Sequence, residues 1–143
     1  MTYPRDRRRE GGFTLIEVLL VLVILVVLAS FAVLQFTGVR RSADLRAAAV
    51  QVGLFKAAVQ TYEGTVGSYP NTAQGLQALR YCPPDVDPSR WAGPYLDSDI
   101  PPDPWGNYYQ YAYPGMHNAD SFDVWTFSPD GLEIGNWAGG MPR

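Results

Sequence analysis

The chain has 143 residues, 47% of them hydrophobic, with 11 Lys and Arg against 14 Asp and Glu, a length that argues for one domain and excludes a multidomain enzyme. A formal net charge of -3 and an isoelectric point near 5.0 speak against a nucleic-acid binder, which needs clustered Lys and Arg to meet phosphates. The averages hide a segregation: Arg5, Arg7, Arg8 and Arg9 face only Asp6 and Glu10 near the N-terminus, whereas residues 80–143 carry three arginines against nine acids.

From Val18 to Val39, 22 residues carry no charged side chain. As a helix this run reaches ~33 Å, enough to cross a hydrocarbon core of ~30 Å. A domain this small has too little other apolar mass to surround a helix that is hydrophobic all round. The segment is therefore expected to span a membrane, and arginines before it with acids after it place the N-terminus in the cytoplasm and the rest outside. A secretory signal peptide is the competing reading, with Ser30-Phe31-Ala32 as its small-x-small cleavage site, but the run exceeds the roughly 7 to 15 residues of an h-region.

Glu17 sits where apolar residues belong. A carboxylate inside a spanning helix costs ~2.5 to 3.5 kcal/mol at the centre, less toward an end, and calls for a partner. If the chain is cut between Gly12 and Phe13, the new α-amine lies one helical turn from Glu17 and is positively charged at neutral pH. The pair can close within one chain or between neighbours packed with an axial offset. The plainer alternative is a Glu17 that snorkels to the interface.

The run GFTLIEVLLVLVIL, after a short basic leader ending in glycine, resembles the N-terminal signature of type IV pilins and type II secretion pseudopilins. The resemblance implies that a prepilin peptidase cuts between Gly12 and Phe13 and N-methylates Phe13. It also implies that the hydrophobic helix is retained, first as a membrane anchor and then as filament core, and that Glu17 docks the subunit. Many relatives have glycine where this chain has Val26 and proline where it has Leu34, so nothing here forces a kink at that point, although Gly38 remains a weak position.

Beyond Arg40 the helix is expected to continue as an amphipathic stem. Leu45, Ala48, Val52, Phe55, Val59 and Tyr62 recur at three- and four-residue steps, while Arg41, Asp44, Arg46, Gln51 and Lys56 lie off that strip. Gly64 and Gly67 should end it. The stretch GTVGSYPNTAQGLQAL reads as a loop and then a short helix capped by Thr72. Tyr108 to Tyr113 and Phe122 to Phe127 read as an antiparallel pair of strands, with a third short strand near Leu132 to Ile134. The fold class is thus α+β: a long N-terminal helix, half transmembrane and half amphipathic, packed on a small C-terminal antiparallel sheet. Three segments, YPNTAQGLQAL, PYLDSDIPPDPWGNYYQY and FDVWTFSPDGLEIGNW, resemble the major, G-type pseudopilins in particular.

Catalytic chemistry is not visible. His117 lies in a loop, Cys82 stands before Pro83-Pro84, and no G-x-S-x-G turn occurs; a lone cysteine forms no intrachain disulfide. The resemblance implies Ca²⁺ in the loop before I-G-N-W, but the longer acidic loop of relatives is missing. Asp130 and Glu133 are the carboxylates left for a metal, against a reading in which Asp130-Gly131 is a tight turn between strands. Asp97, Asp99 and Asp103 are read as turn formers. Trp91, Trp105, Trp125 and Trp137 are read as core, the alternative being a glycan platform.

These readings converge on a non-enzymatic structural subunit that requires no cofactor, with Ca²⁺ left open. Its parts are a leader over 1–12, a hydrophobic helix over 13–39 whose apolar face from Leu15 to Leu34 forms the filament core, and a periplasmic head over 40–143. As the resemblance implies, it is a single-pass inner-membrane protein that polymerises with its own copies. Its partners are the minor pseudopilins, the prepilin peptidase, the inner-membrane assembly platform and the secretin. A type IV pilin and a membrane-anchored glycan-binding module are the alternatives.

Overall fold

The fold was analysed in a computed structural model, which describes residues 12–140, the side chains of 31–39 excepted. The leader arginines, Leu34 and Gly38 therefore lie outside the described residues or side chains. The chain divides into two compact units, Met1–Val39 and Arg40–Arg143. Helix α1 is Leu15–Val66, 52 residues.

In the second unit the expected strip faces the core, with Leu45 at its start only partly buried. Ala48, Val52, Phe55 and Val59 are fully buried and Tyr62 nearly so, while Arg41, Arg46 and Lys56 are exposed. The 3.6-residue period therefore sets which face meets the core. The helix runs past Gly64 and ends at Gly67, whose φ of +91° places it in the left-handed region that favours glycine. Its N–H donates to the Glu63 carbonyl at 2.7 Å.

Three short strands form an antiparallel sheet in the order β1 (Gln110–Ala112), β2 (Asp123–Phe127), β3 (Glu133–Gly135). Tyr111 pairs with Val124, and Thr126 with Ile134. These four residues are buried, and Tyr111, Val124 and Ile134 join the α1 strip in one core. The first strand is shorter than the run Tyr108 to Tyr113. Tyr108 is exposed, Tyr109 turns inward to meet Phe55 edge-on at 5.0 Å, and Pro114 follows Tyr113 without a ladder donor.

Between helix and sheet the chain is pinned by side chains reaching backbone. A 3-10 helix, Gly75–Leu79, carries Leu76 and Leu79 inward. Its preceding turn is closed by Asn71 and Gln74, each side chain accepting the other's backbone N–H at 2.8 and 2.7 Å, a reciprocal arrangement of capping-box type. Thr72, expected as the cap, instead exchanges two 3.0 Å hydrogen bonds with the backbone of Tyr113. The Trp91 indole donates to the Ala78 carbonyl at 3.0 Å, and the Tyr111 hydroxyl donates to that of Pro70 at 2.7 Å.

Phe55→Ala should destabilise the head by about 3 to 5 kcal/mol, since it removes a fully buried ring and leaves a cavity. Leu54→Ala, one position round the helix and exposed, should change stability by under about 0.5 kcal/mol. Chemical denaturation followed by tryptophan fluorescence separates the two.

Candidate functional site

Gly12, Phe13 and Thr14 precede the first turn of α1. All three are exposed, Phe13 by 83%, and the space beside Gly12 is open. Thr14 begins the helix. Its hydroxyl accepts the Glu17 N–H at 3.3 Å, and its carbonyl accepts those of Glu17 and Val18 at 3.1 and 3.2 Å. Thr14-Leu15-Ile16-Glu17 has the T-x-x-E spacing of a capping box, a signal that the sequence reading passed over. Glu17 thereby occupies the position where an acid is favoured by the positive end of the helix dipole.

Around this turn the helix is apolar on every side. Leu15, Ile16 and each residue from Val18 to Leu28 are about half exposed or more, and Ser30 hides its hydroxyl on the Val26 carbonyl at 2.8 Å. Among the described residues no helix is long and apolar enough to cross a membrane. The expected span, Val18–Val39, includes residues 31–39, whose side chains lie outside the description.

The β2–β3 connection is a tight turn. The Gly131 N–H donates to the Ser128 carbonyl and the Ser128 N–H to that of Leu132, both at 2.9 Å, while the Ser128 hydroxyl accepts the Leu132 N–H at 3.1 Å. Gly131 has φ +79°. Asp130 does not turn toward Glu133 chemistry: its Oδ2 accepts the Arg41 Nε at 2.8 Å. Glu133 is in β3, opposite Phe127. Among the described residues no three His, Cys, Asp or Glu side chains are grouped to hold a metal ion. Ca²⁺ needs six to eight oxygens, whereas here the two turn carbonyls serve the backbone and one carboxylate serves a guanidinium. Asp130 is engaged by Arg41 and Glu133 stands in β3, so these two carboxylates by themselves supply fewer oxygens than a calcium ion takes.

Two acids that the sequence reading did not single out as binding groups are buried hubs. Asp103 accepts the N–H groups of Trp105 and Asn107 at 3.0 and 2.7 Å on Oδ1 and the Thr126 hydroxyl on Oδ2. It fixes the D-P-W-G loop to β2. Asp123, only 1% exposed, accepts the N–H of His117 at 2.7 Å and both the N–H and side-chain amide of Asn118, at 3.2 and 2.8 Å. Burial pushes its carboxyl upward, but the donors from His117, Asn118 and Met116 outweigh it and hold the group below its ordinary 3.8. The His117 ring lies 3.4 Å from the same carboxylate and stacks on Trp137, centroids 3.8 Å apart and 7° from parallel. Trp137 also lies close to Gly135, where any Cβ would fall 2.2 Å from the indole. Trp137 is thus engaged by the His117 ring and only partly exposed.

The comparisons with known proteins agree with this geometry. Residues 35–139 match the family described as type II secretion system (T2SS), protein G, and residues 7–33 match the prokaryotic N-terminal methylation motif. The chain belongs to the type II secretion system protein G family. It is 40% identical over 142 residues to the type II secretion system core protein G of Vibrio cholerae serotype O1, covering 93% of this chain and 95% of that protein. The core protein G of Pseudomonas aeruginosa is 37% identical over 141 residues, covering 92% and 98%. In fold, the chain is similar to the crystal structure of the major pseudopilin from the type 2 secretion system of enterohaemorrhagic Escherichia coli. The TM-score is 0.56 and the identity 28%, over 71% of this chain and 92% of that one. The resemblance read from the sequence is thus to the right branch.

Because Asp123 binds its proton less readily folded than unfolded, its contribution is present above about pH 3.8 and is lost as pH falls through the lower folded value. Asp123→Ala orphans several buried N–H groups and should cost about 1 to 3 kcal/mol at pH 7. Its acid-unfolding limb should be shallower than that of the wild type, as read by urea melts across pH 2 to 7.

Proposed function

We propose that this protein is the structural subunit of the type II secretion pseudopilus, cut between Gly12 and Phe13, N-methylated at Phe13 and assembled with its own copies into a periplasmic filament. The observation that carries the reading is the helix from Leu15 to Leu28, apolar on all sides apart from Glu17 and exposed, lying within the matched methylation motif. A surface of that kind is stable only against lipid or against other such helices. The arginine-rich leader keeps the N-terminus in the cytoplasm and the head in the periplasm, which makes the chain a single-pass inner-membrane protein before assembly. Its work is mechanical, not enzymatic. Filament growth from the inner-membrane assembly platform, with minor pseudopilins as companions, moves folded cargo through the outer-membrane secretin.

The chemistry of the N-terminal turn gives each residue a part. Open space at Gly12 admits a peptidase to the bond before Phe13. Cleavage leaves Thr14 as cap but creates an ammonium at the positive end of a helix, an arrangement that the dipole disfavours. Glu17 supplies the counter-charge, one turn away in the same chain or offered to the amine of a neighbour. Methylation keeps that positive charge while adding apolar surface.

Mass spectrometry of membrane-extracted protein should find a chain beginning at N-methylated Phe13. Glu17→Ala should be processed in the same way yet be missing from sheared filaments, with secretion reduced at least tenfold. Wild-type assembly by that variant would remove the docking role.

A further inference from the structure

Asp130 and Glu133 by themselves supply fewer oxygens than the calcium that the resemblance implies would take, and the arrangement at the β2–β3 turn points to what stands in its place. We infer that the guanidinium of Arg41 is the cation of this turn, so that the head folds and holds its C-terminal hairpin without a divalent metal. Arg41 lies on α1 and Asp130 at the tip of the turn, 89 positions apart in sequence, and their side chains meet at 2.8 Å. A metal loop presents carbonyls and carboxylates together to one point. Here the Ser128 and Leu132 carbonyls face the turn's own N–H groups, and Gly131 in the left-handed region closes the hairpin tightly. A guanidinium asks less of the loop than a metal does: it brings its own N–H donors, needs one carboxylate and no oxygen cage. Its fixed charge also repels a divalent cation from the same carboxylate.

The pair also has a mechanical consequence. It fastens the hairpin tip to the helix that carries the core strip, a task that bound calcium would otherwise perform from within the loop. Both side chains are more than half exposed, so the link is modest in strength and weakened by salt.

The full chain in detergent micelles can be melted with EDTA and with millimolar CaCl₂, following tryptophan ellipticity in the near ultraviolet. Wild type should show the same Tm in both, within about 1 °C, whereas a site saturated a hundredfold above its Kd would raise Tm by roughly 10 °C. Arg41→Gln and Asp130→Asn should each lower Tm by roughly 1 to 4 °C at low salt, and the double variant should be no worse than either single one. A calcium-raised Tm in the wild type overturns the inference. So does strict additivity of the two substitutions, since it would mean that the guanidinium and the carboxylate do not act as a pair.

Discussion

The contact between the buried strip of α1, from Ala48 to Tyr62, and the inner residues Tyr111, Val124 and Ile134 supports the rest of the head. Strands of three, five and three residues have too few ladder bonds to stand alone. They persist because Phe55, Val59 and Tyr62 offer a surface on which one face of the sheet leaves water. The same surface holds the irregular segments through aromatic edges: Phe55 on Tyr109, and Tyr62 on Tyr95, which also bonds Thr65 on the helix. A helix strip thus organises both regular and irregular structure.

Much of the head is nevertheless loop, and loops near a core must find partners for backbone N–H groups that a ladder would otherwise satisfy. Asp103 and Asp123 solve this with carboxylates, acceptor-only groups that each take several donors. The acidity of the head is in part structural for this reason. At Asp123 the donors outweigh the desolvation of a nearly fully buried charge, so neutral N–H groups hold the carboxylate ionised.

Legibility in the sequence followed the range of the interaction. The α1 strip could be read because its spacing is local and periodic, and the strands because β-prone aromatic runs flank a Gly, Pro and Asn turn. Glu17 stood out because a charge in an apolar run is expensive. What escaped was either a choice among near neighbours or a contact across long separation. Asn71 and Thr72 are both good caps, and only the tertiary demand of the Tyr113 backbone decides which is used. Thr14 was overlooked although T-x-x-E is a local signal. Asp103, read as a turn former, does form a turn, but its second oxygen belongs to Thr126 on β2, 23 positions away. The Arg41 to Asp130 pair spans still more chain, and no local pattern announces it.

The N-terminal helix raises a different question, namely what distinguishes its two apolar solvents. Transferring Val, Leu and Ile from lipid to the flank of another such helix gains little hydrophobic free energy, because hydrocarbon tails are as apolar as the side chains they release. On the proposed reading, every residue from Val18 to Leu28 would be nearly indifferent between membrane and filament, however strongly it avoids water. The carboxylate at Glu17 is not indifferent. In lipid it must snorkel or remain poorly solvated, while in the assembly we propose it would gain a charged donor from the ammonium of a neighbouring Phe13, in a medium where that attraction is strong. One polar side chain at the head of an apolar helix can thus supply both the preference for assembly and the axial offset at which copies meet, leaving the apolar residues to supply packing rather than choice.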